Sequence, residues 1–118
     1  MTSTLFRGLK GLSVDLDRDS YDAATVQAKG AVLVDFWGPQ CKPCLALMPA
    51  VEKLEKEYAG RLSVARVNSV GNRMLCARLR VIGLPTFILY KDGGEVARLT
   101  GEDITAAQIK EAIERTIA

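Results

Sequence analysis

The sequence predicts an α/β sandwich built on a mixed β-sheet, and two observations carry that prediction. Apolar runs with strand character alternate with segments of helical period in the first two thirds of the chain, which implies parallel crossovers. The last third instead holds two strand-like runs joined by Lys91-Asp92-Gly93-Gly94, a hairpin signal that adds antiparallel strands to the sheet.

Taken in order, Ser13 to Leu16 alternates polar and apolar residues as a short strand does, and Asp19-Ser20 reads as the cap of a helix over Tyr21 to Lys29, ended by Gly30. Ala31 to Trp37 is almost continuously apolar and rich in β-branched and aromatic residues, the pattern of a strand buried on both faces. From Cys44 to Tyr58 the pattern turns helical, with Leu47, Val51, Leu54 and Tyr58 on one stripe, Pro49 as an interior kink and Gly60 as the stop. Leu62 to Val67 reads as a strand and Asn72 to Leu79 as a short helix. Thr86 to Tyr90 and Glu95 to Leu99 form the hairpin. Thr105 caps a final amphipathic helix to Ile117, with Ile109, Ala112, Ile113 and Ile117 inward. No internal repeat or low-complexity linker interrupts this order.

The chain has 118 residues, enough for one hydrophobic core and too few for two. With 48% hydrophobic and 25% charged residues and a formal charge of +2, it fits an ordinary globular domain and gives no reason to expect nucleic acid. Arg7, Gly8, Lys10 and Gly11 interrupt the apolar residues between Leu5 and Leu12, so no signal peptide or membrane span is expected. Residues 1–12 are read as an N-terminal extension and 13–118 as the domain. The extension is open to reading as a short helix, a docking arm or a targeting remnant. The protein is expected in the cytoplasm, as a monomer and away from membranes.

The sequence contains no histidine, which excludes Cys-His and Ser-His nucleophile pairs and histidine-based zinc sites. Three cysteines are too few for a disulfide-stapled scaffold, and two of them form Cys41-Lys42-Pro43-Cys44. A zinc site built on this pair would need two more ligands, where only Cys76 remains among thiols and imidazoles. Dithiol chemistry is the better reading, because the pair follows a buried strand and opens a helix. At a helix N-terminus the unpaired N–H groups and the positive dipole end favour thiolate, making Cys41 the nucleophile. One helical turn brings Cys44 to the same side, where it resolves the mixed disulfide formed at Cys41. Pro43 suits the first turn, where its missing N–H has no partner, and stiffens it. Lys42 adds a cation expected to lower the thiol pKa further. Trp37 is a large aromatic beside the loop. Cys76 is read as a buried core thiol, with an exposed, oxidisable thiol as the alternative. Arg73, Arg78 and Arg80 form either a solvated helix face or a patch for acidic partners.

Four separated features occur in a telling order: Val32 to Trp37 running into the C-x-x-C segment, Pro49 in the following helix, Ile82-Gly83-Leu84-Pro85-Thr86-Phe87, and Lys91 to Val96 followed by Gly101. Together they resemble the thioredoxin family from about Val14 to the C-terminus. The resemblance implies a three-layer sandwich of about five strands and about four helices. It also implies a cis peptide bond at Pro85 and a substrate-binding surface of Gly83, Leu84, Pro85 and Gly101, on which the Leu84 backbone pairs with an extended substrate segment. Asp35 is then a buried carboxyl behind Cys44 that accepts its proton, and burial would raise its pKa to suit that task. The implied activity is reduction of disulfide-containing protein substrates, recharged by a thioredoxin reductase or another dithiol donor, with the Cys41-Cys44 disulfide and no bound cofactor. Gln40, Lys42 and Val70 depart from the family pattern and point to a specialised member. The alternatives are a thioredoxin-fold binding module or redox switch, and a thiol oxidase or isomerase.

Overall fold

The computed structural model describes residues 13–118. The extension expected over residues 1–12 lies outside them. In chain order the elements are β1 (Val14–Asp15), α1 (Tyr21–Ala24), β2 (Ala31–Trp37), α2 (Lys42–Glu57), β3 (Leu62–Asn68), α3 (Arg73–Arg78), β4 (Thr86–Lys91), β5 (Gly94–Thr100) and α4 (Ala106–Ile117). The five strands form one sheet in the order β1-β3-β2-β4-β5. β3 runs parallel to both β1 and β2, while β4 runs antiparallel to β2 and β5. The mixed α/β sandwich expected from the sequence is what forms.

β2 is apolar at nearly every position because both of its faces are covered. Val32, Val34 and Phe36 pack with Tyr21, Leu75 and Val81 on the α1/α3 side. Ala31 and Leu33 pack with Val51, Leu54, Ile109 and Ile113 on the α2/α4 side. Strand alternation therefore assigns Asp35 and Trp37 to the layer that contains α2, and the same parity in β3 sends Arg66 there with Leu62 and Val64.

The hairpin turn has positive φ at both central residues, Asp92 at 50° and Gly93 at 90°, as a primed two-residue turn requires. A Cβ on Gly93 would collide with the carbonyl oxygen of Val26, so glycine is required there on two counts. The Asp92 carboxylate accepts the Gly30 amide at 2.7 Å and ties the hairpin to the end of the α1 segment.

Two local expectations are corrected. The helix expected over Tyr21 to Lys29 stops at Ala24. The Thr25 hydroxyl donates to the Tyr21 carbonyl and the Gln27 amide reaches back to Asp22, so side chain and turn compete with the helical ladder just where Thr25 and Val26 are β-branched. Ser20 occupies the cap position but makes no side-chain cap bond. Instead the Asp17 carboxylate accepts the amides of Asp19 and Ser20 at 2.9 and 3.0 Å. The last helix keeps its expected cap: Thr105 and Gln108 form a reciprocal capping box.

Candidate functional site: a disulfide at the start of a helix

Cys41 and Cys44 are joined as a disulfide with their Cα atoms 5.2 Å apart. Cys41 is the N-cap of α2, in extended conformation, and its sulfur accepts the backbone N–H of Cys44 at 3.2 Å. A sulfur thus occupies the place usually held by a capping oxygen, facing the unpaired amides of the first turn. Lys42 and Pro43 are the first two helical residues, so α2 begins two residues earlier than periodicity alone suggests. The two cysteines differ in access: Cys41 is half-buried, whereas Cys44 is 2% exposed.

The second wall of the site comes from the segment before β4. The Leu84-Pro85 peptide bond is cis. Thr86 fixes this segment by donating to the Gly83 carbonyl at 2.6 Å, and its hydroxyl also lies 3.1 Å from that of Thr100. Gly101, at φ 121°, donates its amide to the Pro85 carbonyl at 3.0 Å. A shallow groove runs between the walls, with Cys41, Lys42 and Pro43 on one side and Gly83, Leu84 and Gly101 on the other. Gln40 also borders it. Pro85 itself is buried and does not line the groove.

Asp35 is 2% exposed, and burial raises its pKa from 3.8 to about 6, with Arg66 opposing the rise. The Arg66 Nε lies 3.8 Å from the Asp35 carboxylate, and the guanidinium covers the Trp37 ring at 5.1 Å from its centroid. Both contacts leave polar atoms without hydrogen-bond partners: Asp35 Oδ1, Trp37 Nε1 and two guanidinium nitrogens of Arg66 are buried and unpaired. Arg66 was not singled out in the sequence. The signal that finds it is the β2–β3 register, which sets Asp35 against Arg66.

Among the remaining residues, Cys76 is a buried free thiol in the α1/α3-side core, with its pKa pushed up by burial. Val70 is exposed. Arg73, Arg78 and Arg80 are also exposed and none lines the groove; Arg78 pairs with Asp22 at 3.4 Å.

A sulfur pair that closes on itself across one helical turn, with one member open to a groove and the other sealed beneath it, performs thiol-disulfide exchange. The comparisons agree. The family model described as Thioredoxin matches residues 13–115. A thioredoxin of Acetoanaerobium sticklandii is 39% identical over 103 residues, covering 87% of this chain and 98% of the relative. One of Peptoclostridium acidaminophilum is 37% identical over 109 residues, covering 92% and 99%. Among solved structures, a mutant thioredoxin from Halobacterium salinarum superposes with a TM-score of 0.80 at 27% identity, over 92% of this chain and 93% of the other. The chain belongs to the thioredoxin family and is a protein thiol-disulfide oxidoreductase. A binding module, a switch, or an oxidase or isomerase is not favoured.

Proposed function

We propose that this protein runs the exchange in the reducing direction, as a cytoplasmic, monomeric electron carrier that uses no bound cofactor. Unequal access of the two sulfurs supports Cys41 as the one that meets a partner, and the reducing direction is supported by the likeness to thioredoxins at 37% and 39% identity. In the reduced protein the Cys41 thiolate attacks a substrate disulfide. A Cys41–substrate disulfide forms and one substrate thiolate leaves. Cys44 then loses its proton to Asp35, whose pKa near 6 leaves it ionised at neutral pH, and attacks the Cys41 sulfur. The second substrate thiolate departs and takes up a proton, leaving the Cys41-Cys44 disulfide. An external dithiol donor, such as a thioredoxin reductase, returns two electrons and two protons. Lys42 and the helix N-terminus favour the Cys41 thiolate, Pro43 and Trp37 hold its surroundings, and the strip of Gly83, Leu84 and Gly101, held in place by the buried Pro85, receives an extended segment of the substrate.

The test is insulin reduction driven by dithiothreitol, together with the reduction potential of the pair. Activity in the parent that vanishes in Cys41→Ser, and a potential near the roughly −270 mV of reducing members of this chemistry, are expected. A potential near the roughly −180 mV of a disulfide isomerase would overturn the direction.

A further inference from the structure

We infer that Glu102 is a specificity-determining residue of the exchange reaction: with Lys42 it makes the groove around Cys41 bipolar, so that the groove favours partner disulfides bearing a basic side chain where they pass Glu102. The inference rests on the reading of the groove as the substrate surface.

Among the described residues, Lys42 and Glu102 are the only charged side chains that line the groove, and they belong to opposite walls. Lys42 sits on the first turn of α2, next to the nucleophile. Glu102 follows Gly101, whose amide is bonded to the Pro85 carbonyl, so its backbone is fastened to the same segment that would hold a substrate strand. A further bond, from the Ile104 amide to the Gly101 carbonyl at 3.4 Å, closes the turn that carries Glu102. Asp103, exposed and next in sequence, adds to the negative charge of this wall.

Both groove charges are exposed, and neither takes part in an ion pair among the described residues. Their fields are therefore open to an incoming chain. An acidic residue passing Glu102 is repelled and a basic one attracted, an effect that acts on encounter and on the mixed-disulfide complex and is screened by salt. Exposed ion pairs of this kind change rates by about two- to fivefold.

The experiment uses oxidised peptides identical except for one position at a time near the reactive cysteine, occupied by Lys, Ala or Glu. Initial rates give kcat/KM, with each variant normalised to its own rate on the all-Ala peptide. In the parent protein, one or more positions should prefer Lys over Glu by about two- to fivefold, chiefly through KM, with the preference shrinking at high salt. Glu102→Gln should erase that preference and Glu102→Lys invert it at the same position. If no position changes its preference between the parent and either variant, the inference is wrong. Failure of the underlying reading looks different: the parent would not turn over the all-Ala peptide, or Cys41→Ser would turn it over equally well.

Discussion

Arg66 lies directly across the parallel β2–β3 ladder from Asp35, and its guanidinium bridges the space between that buried carboxylate and the Trp37 ring. The bridge is incomplete as an ion pair, because at 3.8 Å the Nε contact is longer than a hydrogen bond and Asp35 Oδ1 has no donor. A carboxylate held this way remains costly to ionise, which is why burial outweighs the cation.

The first expected consequence is a pH-dependent stabilisation by Asp35→Asn. Below pH 3.8 both folded and unfolded chains hold the Asp35 proton, and the residue contributes no slope. Between 3.8 and about 6 the folded state keeps a proton that the unfolded state has lost, so folding stability falls as pH rises. Above 6 the full penalty applies, about 3 kcal/mol from a shift of roughly two units. Urea titrations at pH 8 should therefore show Asp35→Asn more stable than the parent by up to that amount, with the gap closing towards pH 4.

Removing the cation should act in the opposite sense on the site. Arg66→Leu leaves Asp35 with burial alone, and its pKa should rise by on the order of one unit. Resolution by Cys44 would then reach its maximum at higher pH. Single-turnover release of substrate from the Cys41 mixed disulfide, followed across pH 5 to 9, reads the midpoint; an unmoved midpoint would remove Arg66 from the proton transfer.

Tyr21 and Tyr90 place their hydroxyls 2.6 Å apart inside the core on the α1/α3 side, in an edge-to-face arrangement. Each single change to Phe strands the remaining hydroxyl and should cost about 1–3 kcal/mol. The double variant replaces both partners with apolar rings, so its cost should fall well short of the sum. Chemical denaturation of the four proteins closes the cycle.

Two glycines with nearly equal φ should respond differently to alanine. At Gly60 nothing lies within 4 Å of the added Cβ, leaving only the backbone penalty of about 1–2 kcal/mol. At Gly93 the collision with the Val26 carbonyl is added, and Gly93→Ala should be clearly the more destabilising by thermal or urea unfolding.

How legible these features were depended on how far apart in sequence their causes lie. The limits of β2, the hairpin at Asp92-Gly93 and the position of Cys41 at a helix start all follow from residues within one segment, and periodicity and turn chemistry found them. Arg66 and Glu102 did not stand out, because each matters only through a partner brought near by the sheet or by the Gly101–Pro85 bond. The shortened α1 was missed for another reason: a cap signal at Asp19-Ser20 and a stop at Gly30 suggested a longer helix, while the Thr25 hydroxyl and the amide of Gln27 formed local bonds that end it. The carboxylate of Asp17 instead orders the turn before the helix by accepting the amides of Asp19 and Ser20, and the side-chain cap expected at Asp19-Ser20 does not form.

The placement of β2 between β3 and β4 also orders the ways in which the molecule can come apart. Its amides and carbonyls are engaged on both sides, whereas β1 is two residues long and, among the described residues, β5 has only one neighbour. Amide exchange should therefore be slowest along Val32 to Phe36, with local openings beginning at β5 and at the short segments around β1. The loop that carries the sulfurs leaves directly from this slowest-exchanging strand, so its mounting outlasts the fluctuations of the periphery.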